Sequence, residues 1–373
     1  MRRNRIEPRE GWRRKVEALG MMFHSTEAPY WDESVFYSFT LAQVLEIERA
    51  TNELFALCCE AVKHVIGTGL WEEFKIPRAA IPMIRRSWEE DDVSLYGRFD
   101  LRYDGNGTPK MYEFNADTPT SLLETAVVQW HWLRERYPAC DQFNSIHEKL
   151  VAHWQIAEVK GPVHFACAAG SDEEFATTVY LEDTARQAGI KTSRLFIQEI
   201  GWDGRGFVDL DNQRIRTLFK LYPWEWMLRE PFGQYLYREP AQLIEPAWKM
   251  ILSNKRLLPL LWELFPGHPN LLPAYMQAEP LGNSYVKKPL FGRGGVDITL
   301  RAGANEVTSD GRAEVEEGYV YQALSLPPAL DGAFPVIGSW IIGGTAAGMG
   351  IREAASPVTN EKSRFVPHLI QAG

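Results

Sequence analysis

Arg98-Phe99-Asp100 and Glu113-Phe114-Asn115 set an arginine, two carboxylates and a carboxamide into two short stretches in which polar and apolar residues alternate. Alternate side chains of a strand share a face. Arg98 and Asp100 therefore point one way and Phe99 and Leu101 the other, while Glu113 and Asn115 lie opposite Tyr112 and Phe114. Asp104-Gly105-Asn106-Gly107 between the two stretches is a hairpin signal. A hairpin that pairs with its apolar faces together brings the four polar groups to one side. Two carboxylates and an amide oxygen are hard oxygen ligands of the kind that suits Mg²⁺, and an arginine beside them can hold a phosphoryl or carboxylate group in its planar fork. An amphipathic hairpin with a solvated polar face carries the same pattern.

A second constellation is Tyr285-Val286-Lys287-Lys288-Pro289 followed by Leu290-Phe291-Gly292-Arg293-Gly294-Gly295. A strand here delivers a lysine to a glycine-rich loop; lysine supplies a point charge for phosphate, and glycines let backbone N–H groups approach it. Neither GxxxxGK[ST] nor GxGxxG is met, so this is not a Walker loop or a dinucleotide fingerprint. A plain glycine-rich turn between strands reads alike. Lys255 and Arg352 are further cations, the latter after the small residues of Gly348-Met349-Gly350-Ile351. Glu173 and Glu174 could bind a cationic amine, yet Ser171-Asp172-Glu173-Glu174 is also a good helix start, with Ser171 as N-cap and acids complementing the dipole.

The elements that must position these groups follow from periodicity. Residues 12 to about 75 read as helical, with a long segment opening at Thr40 and ending near Gly67 and Gly69. Ser94 to Tyr103 and Lys110 to Asn115 read as strands, and Ser121-Leu122-Leu123-Glu124 fits a capping box that opens a helix. From Gly161 an α/β alternation begins: Val163 to Ala168 as strand, Ser171 to Ala188 as helix, Thr192 to Ile197 as strand, then Leu218 to Tyr222. Helical material from about Pro240 to Leu264 is followed by strand-like runs at Tyr285 to Lys288, Val296 to Leu300, Tyr319 to Leu324 and Pro335 to Ile342. Gly343-Gly344 reads as a hairpin before Ala347 to Glu353.

The 373 residues suffice for two or three domain-sized units. With 45% hydrophobic and 24% charged residues the balance is that of a soluble globular protein. A formal net charge of −9 disfavours broad binding of nucleic acid. No run of 18 apolar residues suggests a membrane span, and the basic N-terminus is not followed by an apolar signal core. The four cysteines, Cys58, Cys59, Cys140 and Cys167, contain no CxxC pair, and neither a disulfide framework nor a zinc site is expected. A reducing cytoplasm is the expected compartment.

Together these segments resemble the glutathionylspermidine synthase family, in particular its standalone acid–amine ligases, over essentially the whole chain. The most specific match is Arg98-Phe99-Asp100 followed by Tyr112-Glu113-Phe114-Asn115-Ala116-Asp117-Thr118-Pro119-Thr120-Ser121-Leu122. Tyr285 to Pro289 with Gly292 to Gly295 comes next, and weaker matches are Lys220 to Glu225, Tyr321 to Leu324 and Gly350-Ile351-Arg352. The resemblance implies an α/β (α+β) fold: a permuted ATP-grasp-like synthetase core with an additional α/β subdomain. Residues 1–160 would form a helical region with the metal-site hairpin, 161–235 the α/β subdomain, and 236–373 the nucleotide-binding region.

The implied activity is ATP-dependent ligation of a carboxylate to an amine through an acyl phosphate, releasing ADP and phosphate. The resemblance puts Mg²⁺ on Asp100, Glu113 and Asn115 and makes Arg98 the catalytic cation. ATP would lie on the Arg98-Phe99-Asp100 segment, Lys255, Lys288, a lid carrying Gly292, Gly294 and Gly295, the adenine-holding Gln322, Ala323 and Leu324, and Arg352. Thr118 and Thr120 would meet a peptide-like acid, and Glu173 and Glu174 a primary amine or polyamine. Ala116 to Ser121 departs from the serine- and cysteine-containing version associated with true glutathionylspermidine synthases, which leaves glutathione and spermidine unassigned as the pair. The chain opens at the synthetase region, so hydrolysis of the amide product is not expected. Another peptide or amino-acid ligase of ATP-grasp type, and a non-catalytic nucleotide-binding module, are the competing readings.

Overall fold

A computed structural model describes residues 1–25, 29–238, 241–311, 317–360 and 363–371. The long helix is Leu41–Thr68. Thr40 accepts from the N–H of Gln43 while the Gln43 side chain accepts from the N–H of Thr40, a reciprocal cap. Gly69 ends the helix at φ 76, a left-handed cap that glycine adopts without Cβ strain. Val44, Ile47, Leu54, Cys58 and Val65 form its buried stripe, at the spacing of one helical face, and it packs on the strands Phe334–Ile342 and Thr345–Ala354.

The helical reading of residues 12 to about 75 holds over Trp12–Glu17 and Leu41–Thr68. Trp12–Glu17 is a short helix, and Val35–Phe39 is a strand, paired antiparallel to Arg2–Arg5 and parallel to His368–Ile370. All five residues of Val35–Phe39 are buried, so no alternation betrays the strand. The helical reading from Pro240 to Leu264 is corrected too. Pro240 lies outside the described residues, Gln242–Ile244 is a strand, and the helices are Lys249–Ser253 and Leu257–Leu264.

The α/β alternation is observed as read. Val163–Cys167 lies between Thr192–Phe196 and Thr217–Leu221, with Gln242–Ile244 beyond the latter, and all four strands are parallel. Parallel neighbours need a crossover; the first is the helix Asp172–Gln187, where Ser171 accepts the Glu174 N–H at 3.3 Å.

Two five-stranded antiparallel sheets complete the fold. One runs in the order Arg364–Val366, Thr345–Ala354, Phe334–Ile342, Tyr96–Arg102, Lys110–Asn115. The hairpin at 96–115 is thus sewn to strands more than two hundred residues later, the long-range connectivity of a permuted core. The other sheet runs Ala274–Tyr275, Tyr319–Ala323, Ser284–Pro289, Thr299–Ala302, Asn305–Thr308. The strand placed at Val296 to Leu300 begins only at Thr299, because Val296 to Ile298 stay in the loop, with Asp297 at φ 56. These sheets and helices make the chain α/β (α+β). No described helix is long and apolar enough to cross a membrane.

Candidate active site

The hairpin has the register that its pattern requires. Arg98 lies opposite Asn115, Phe99 opposite Phe114 and Asp100 opposite Glu113. Phe99 and Phe114 stack at 4.0 Å between ring centroids in the core, so the polar side chains are left together on the other face. Phe99, a member of the expected nucleotide-binding segment, is fully buried behind the site; its ring braces Arg98 and Asp100 and turns away from any ligand in front of them.

Arg98 crosses the next strand at Gly338 and Trp340. Gly338 pairs with Asp100, and Trp340 pairs with Arg98 and lies under its guanidinium at 5.7 Å. The guanidinium donates to Asp100 Oδ1 at 2.8 Å and to the Thr120 carbonyl at 2.7 Å. Thr120 is thereby tied to Arg98 through its backbone.

Glu113 meets Lys255, which donates to its Oε2 at 3.1 Å and to the Gly292 carbonyl at 2.6 Å. Burial works against the Glu113 carboxylate, but the Lys255 and Lys288 ammoniums prevail and hold its pKa down at about 2. Lys288 Nζ donates to Gln322 Oε1 at 2.8 Å and to the Tyr112 carbonyl at 2.9 Å. Burial lowers its pKa to about 8, against the pull of Glu113. Asn115 is 3.5 Å from Glu113 through its Nδ2. Two carboxylates and a carboxamide oxygen on one face, with cations already drawn to them, fit a hard divalent cation by their chemistry. Among the described residues no group of three or more His, Cys, Asp and Glu could hold a metal ion.

A cleft opens between the two antiparallel sheets. It is lined by the polar side chains of Arg98, Asp100, Glu113, Lys288 and Arg352 and by the apolar ones of Val286, Ile298, Leu300, Leu326 and Val336. Gly294 and Gly295 of the glycine-rich loop and Thr359 border it. Gly295 has φ 73, and a Cβ there would fall 2.1 Å from the Thr359 carbonyl, so no other residue allows these two backbones to meet. A Cβ at Gly292 would fall 2.4 Å from the Pro289 ring. Arg352 donates to the Asn360 carbonyl at 2.8 Å.

Gln322 is buried, with its carboxamide spent on Lys288 and the Met111 carbonyl. Ala323 and Leu324 continue the strand pairing through backbone bonds to Pro273 and Ser284, and the cleft wall beyond them is Ser325, Leu326 and Pro327. Sequence reasoning missed that wall, which carries no motif.

A smaller crevice adjoins the cleft, lined by Asn115, Thr118, Lys255, Gly292 and Arg293 among others. Arg293 donates to Thr118 Oγ1 at 2.7 Å and to Glu225 Oε1 at 2.5 Å, latching the glycine-rich loop onto the Thr118 loop and the α/β unit. Asp117, next to Thr118, forms a fully buried pair with Lys220 at 2.5 Å and accepts the Trp224 N–H at 3.0 Å. Glu173 and Glu174 open their helix beside this region. Glu173 acts on Arg98 and Arg293 acts on Glu174 electrostatically; burial and Glu173 together raise the Glu174 carboxyl.

The box read at Ser121 to Glu124 does not form. Ser121 sits at φ 67, with Oγ 3.1 Å from the Tyr30 hydroxyl and 3.4 Å from Glu173, and the helix widens to i→i+5 turns over Glu124–Val128. Tyr30 was absent from the sequence reading and Glu124 entered it only as a member of the capping box; an acid among core residues and a tyrosine ninety residues away leave no local signal of their contact.

Comparison with known proteins agrees with this architecture. The family model described as "Glutathionylspermidine synthase preATP-grasp" matches residues 3–371. A Haemophilus influenzae protein named "Putative acid–amine ligase" is 42% identical over 356 residues, 91% of this chain and 90% of the relative. The bifunctional glutathionylspermidine synthetase/amidase of Escherichia coli K12 is 27% identical over 95% of this chain, which spans 61% of that relative; trypanothione synthetase of Crithidia fasciculata is 29% identical over 78% of this chain, which spans 50% of it. Among solved structures, a glutathione synthetase-like effector from Globodera pallida, GSS30 in its apo form, shares the fold at TM-score 0.52 and 11% identity, over 90% of this chain and 89% of that one. The chain belongs to the glutathionylspermidine synthase family, a family of ligases.

Proposed function

We propose that this protein joins a carboxylic acid to a primary amine at the expense of ATP, through an acyl phosphate. The observation that carries the reading is the cleft between the two antiparallel sheets, lined both by apolar side chains and by paired cations and carboxylates. That lining suits a nucleotide: a planar base against Val286, Leu300 and Leu326, and phosphates toward Lys288, Lys255, Arg98 and Arg352. The stretch Gln322 to Leu324 would hold the adenine through its strand, with Gln322 fixing Lys288. Residues 1–160, 161–235 and 236–373 are proposed as the helical and hairpin, α/β and nucleotide-binding regions.

A free carboxylate is a poor acyl donor because its leaving group would be an oxide. Attack of its oxygen on the γ-phosphorus of ATP breaks the bond to ADP and forms an acyl phosphate; the amine nitrogen then bonds to the acyl carbon and phosphate departs. Charge gathers on the phosphoryl oxygens and on the tetrahedral intermediate, and Arg98, already held by Asp100, Thr120 and Trp340, can meet both without reorganisation. Mg²⁺ on Asp100, Glu113 and Asn115 would supply neutralisation of the phosphate charge. Gly292 to Gly295 act as a lid that keeps water from the acyl phosphate, and Arg293 couples that lid to Thr118. Thr118 and Thr120 face the acid, and Glu173 and Glu174 the amine. The test is ADP release across pools of peptides, amino acids and amines, with mass spectrometry of products. Release that requires both an acid and an amine, with a conjugate of matching mass, supports the ligase. No release with any pair removes it in favour of a nucleotide-binding module.

A further inference from the structure

We infer that Ser121, Tyr30 and Glu124 form a proton wire leading from the amine end of the site to a buried carboxyl group, and that Glu124 takes up the proton the amine must lose before it attacks. The inference rests on the ligase reading and adds to it a proton acceptor.

The geometry is continuous. Ser121 lines a crevice with Arg98, Asp100 and Arg352. Its Oγ is 3.4 Å from Glu173 Oε1 and 3.1 Å from the Tyr30 hydroxyl, which is 2.8 Å from Glu124 Oε1. Glu124 is fully buried, in a stretch with the buried Leu122, Leu123, Ala126 and Val128, and its Oε2 has no hydrogen-bond partner among the described residues. A buried carboxyl with a vacant oxygen is costly, and packing alone does not call for one here. The backbone is bent to place it: Ser121 has φ 67, and the helix adopts its widened turns at Glu124–Val128. Such departures cluster at functional sites.

The hydroxyl chain has two orderings. With Glu124 ionised, Tyr30 donates to Glu124 and Ser121 donates to Tyr30. With Glu124 protonated, Glu124 donates to Tyr30, Tyr30 to Ser121 and Ser121 to Glu173. One proton entering at Ser121 and one arriving at Glu124 convert the first ordering into the second. The amine enters as an ammonium beside Glu173. It passes a proton to Ser121 Oγ, Ser121 passes its own to Tyr30, and Tyr30 passes its own to Glu124. The ammonium becomes a neutral amine and the Glu124 carboxylate a carboxylic acid. The nitrogen lone pair then bonds to the acyl carbon as the bond to phosphate breaks, and the second N–H proton leaves with the phosphate.

The charged and titratable groups around Glu124 are Tyr30, Glu173 and, from the strand Thr345–Ala354, Arg352. Burial first and Glu173 second push the Glu124 pKa up to about 8, while Tyr30 and Arg352 pull it down. An ammonium arriving against Glu173 offsets the Glu173 charge, and the proton that Glu124 holds below about pH 8 leaves to water through Tyr30 and Ser121, giving the ionised, accepting form. Once the ammonium is neutral that support is gone and the proton is held.

Infrared difference spectroscopy of the purified chain, which needs no substrate, tests the wire. Raising the pH through about 8 should remove the carbonyl band of a buried carboxylic acid. Glu124→Gln should abolish the band, and Glu173→Gln should move its loss to lower pH by withdrawing the Glu173 charge. A spectrum with no titrating band that Glu124→Gln removes overturns the inference. In turnover, Glu124→Gln and Tyr30→Phe should each slow amidation by a primary amine about a hundredfold. Both should keep hydroxamate formation with hydroxylamine, which is unprotonated at neutral pH and needs no acceptor. Equal losses with both nucleophiles would mean a merely structural role and overturn it as well. A wild-type chain that releases no ADP with any acid and amine would instead remove the ligase reading, and the infrared result would then judge the wire alone.

Discussion

Gly338 leaves the space through which Arg98 reaches the cleft. A Cβ at position 338 would lie 2.9 Å from Arg98 Cδ, and Arg98 cannot step aside, because Asp100, Thr120 and Trp340 hold it on three sides. Gly338→Ala is therefore expected to displace the guanidinium. In the proposed ligase kcat should fall at least tenfold with KM for ATP little changed. Steady-state kinetics beside a thermal melt separates this from unfolding; an unchanged kcat would mean that Arg98 tolerates the shift.

Arg98→Ala is expected to lower kcat by about 10²–10³, the usual cost of one oxyanion-stabilising donor. Arg98→Lys keeps the charge and loses the fork that spans Asp100 and the Thr120 carbonyl, so it should also be badly impaired. Rates measured at saturating ATP, acid and amine decide the matter, since a group acting only in the transition state affects kcat more than KM.

In the proposed ligase Lys288 should make nucleotide affinity depend on pH. Its pKa is lowered to about 8, chiefly by burial. Nucleotide phosphate favours the protonated form, so ATP should bind tightly below this value and more weakly as pH rises through it. Lys288→Arg stays protonated, and its affinity should be flat between about pH 7 and 9. Calorimetric titration with a non-hydrolysable ATP analogue at several pH values checks both; parallel profiles for the two proteins would exclude Lys288 as the titrating contact.

The lid should close on nucleotide. Arg293 ties the glycine-rich loop to Thr118 and Glu225, and in the proposed ligase ATP would enter beneath it. Amide hydrogen exchange at residues 291–296 should slow when a non-hydrolysable ATP analogue is added. Glu225→Gln should speed exchange in the free protein by weakening the latch. A loop equally protected in every state would leave no role for a lid.

Asp117 and Lys220 anchor the Thr118 loop from below. Both side chains are wholly buried at 2.5 Å. Removal of one partner leaves an unpaired buried charge, so Lys220→Met should cost about 3–5 kcal/mol of stability, while replacing both by apolar residues should cost less. Chemical denaturation of the single and double variants measures the difference.

The hairpin was legible in the residues themselves. Alternation assigned Arg98, Asp100, Glu113 and Asn115 to one face, the Asp104 to Gly107 turn joined the strands, and the observed register pairs them as that pattern demands. Ser171 announced its helix because capping is a contact between near neighbours in sequence, and the segment opening at Thr40 did so through the spacing of its apolar residues. Val35–Phe39 and Gln242–Ile244 were read as helical because strands buried on both faces carry no period to find. Ser121 matched a cap by type, but its hydroxyl is taken by Tyr30 and Glu173, partners no local rule supplies.

What the sequence by itself determined is therefore local: which side chains share a face, where helices begin, and which segments resemble a ligase family. Only the tertiary structure decided that Gly338 clears a path for Arg98, that Gln322 serves Lys288, that Arg293 latches to Glu225, and that Glu124 lies buried with an oxygen unpartnered among the described residues. The reason is range. Alternation, capping and turn chemistry act between residues a few positions apart, whereas burial and electrostatic fields sum over segments that meet only when the chain has folded.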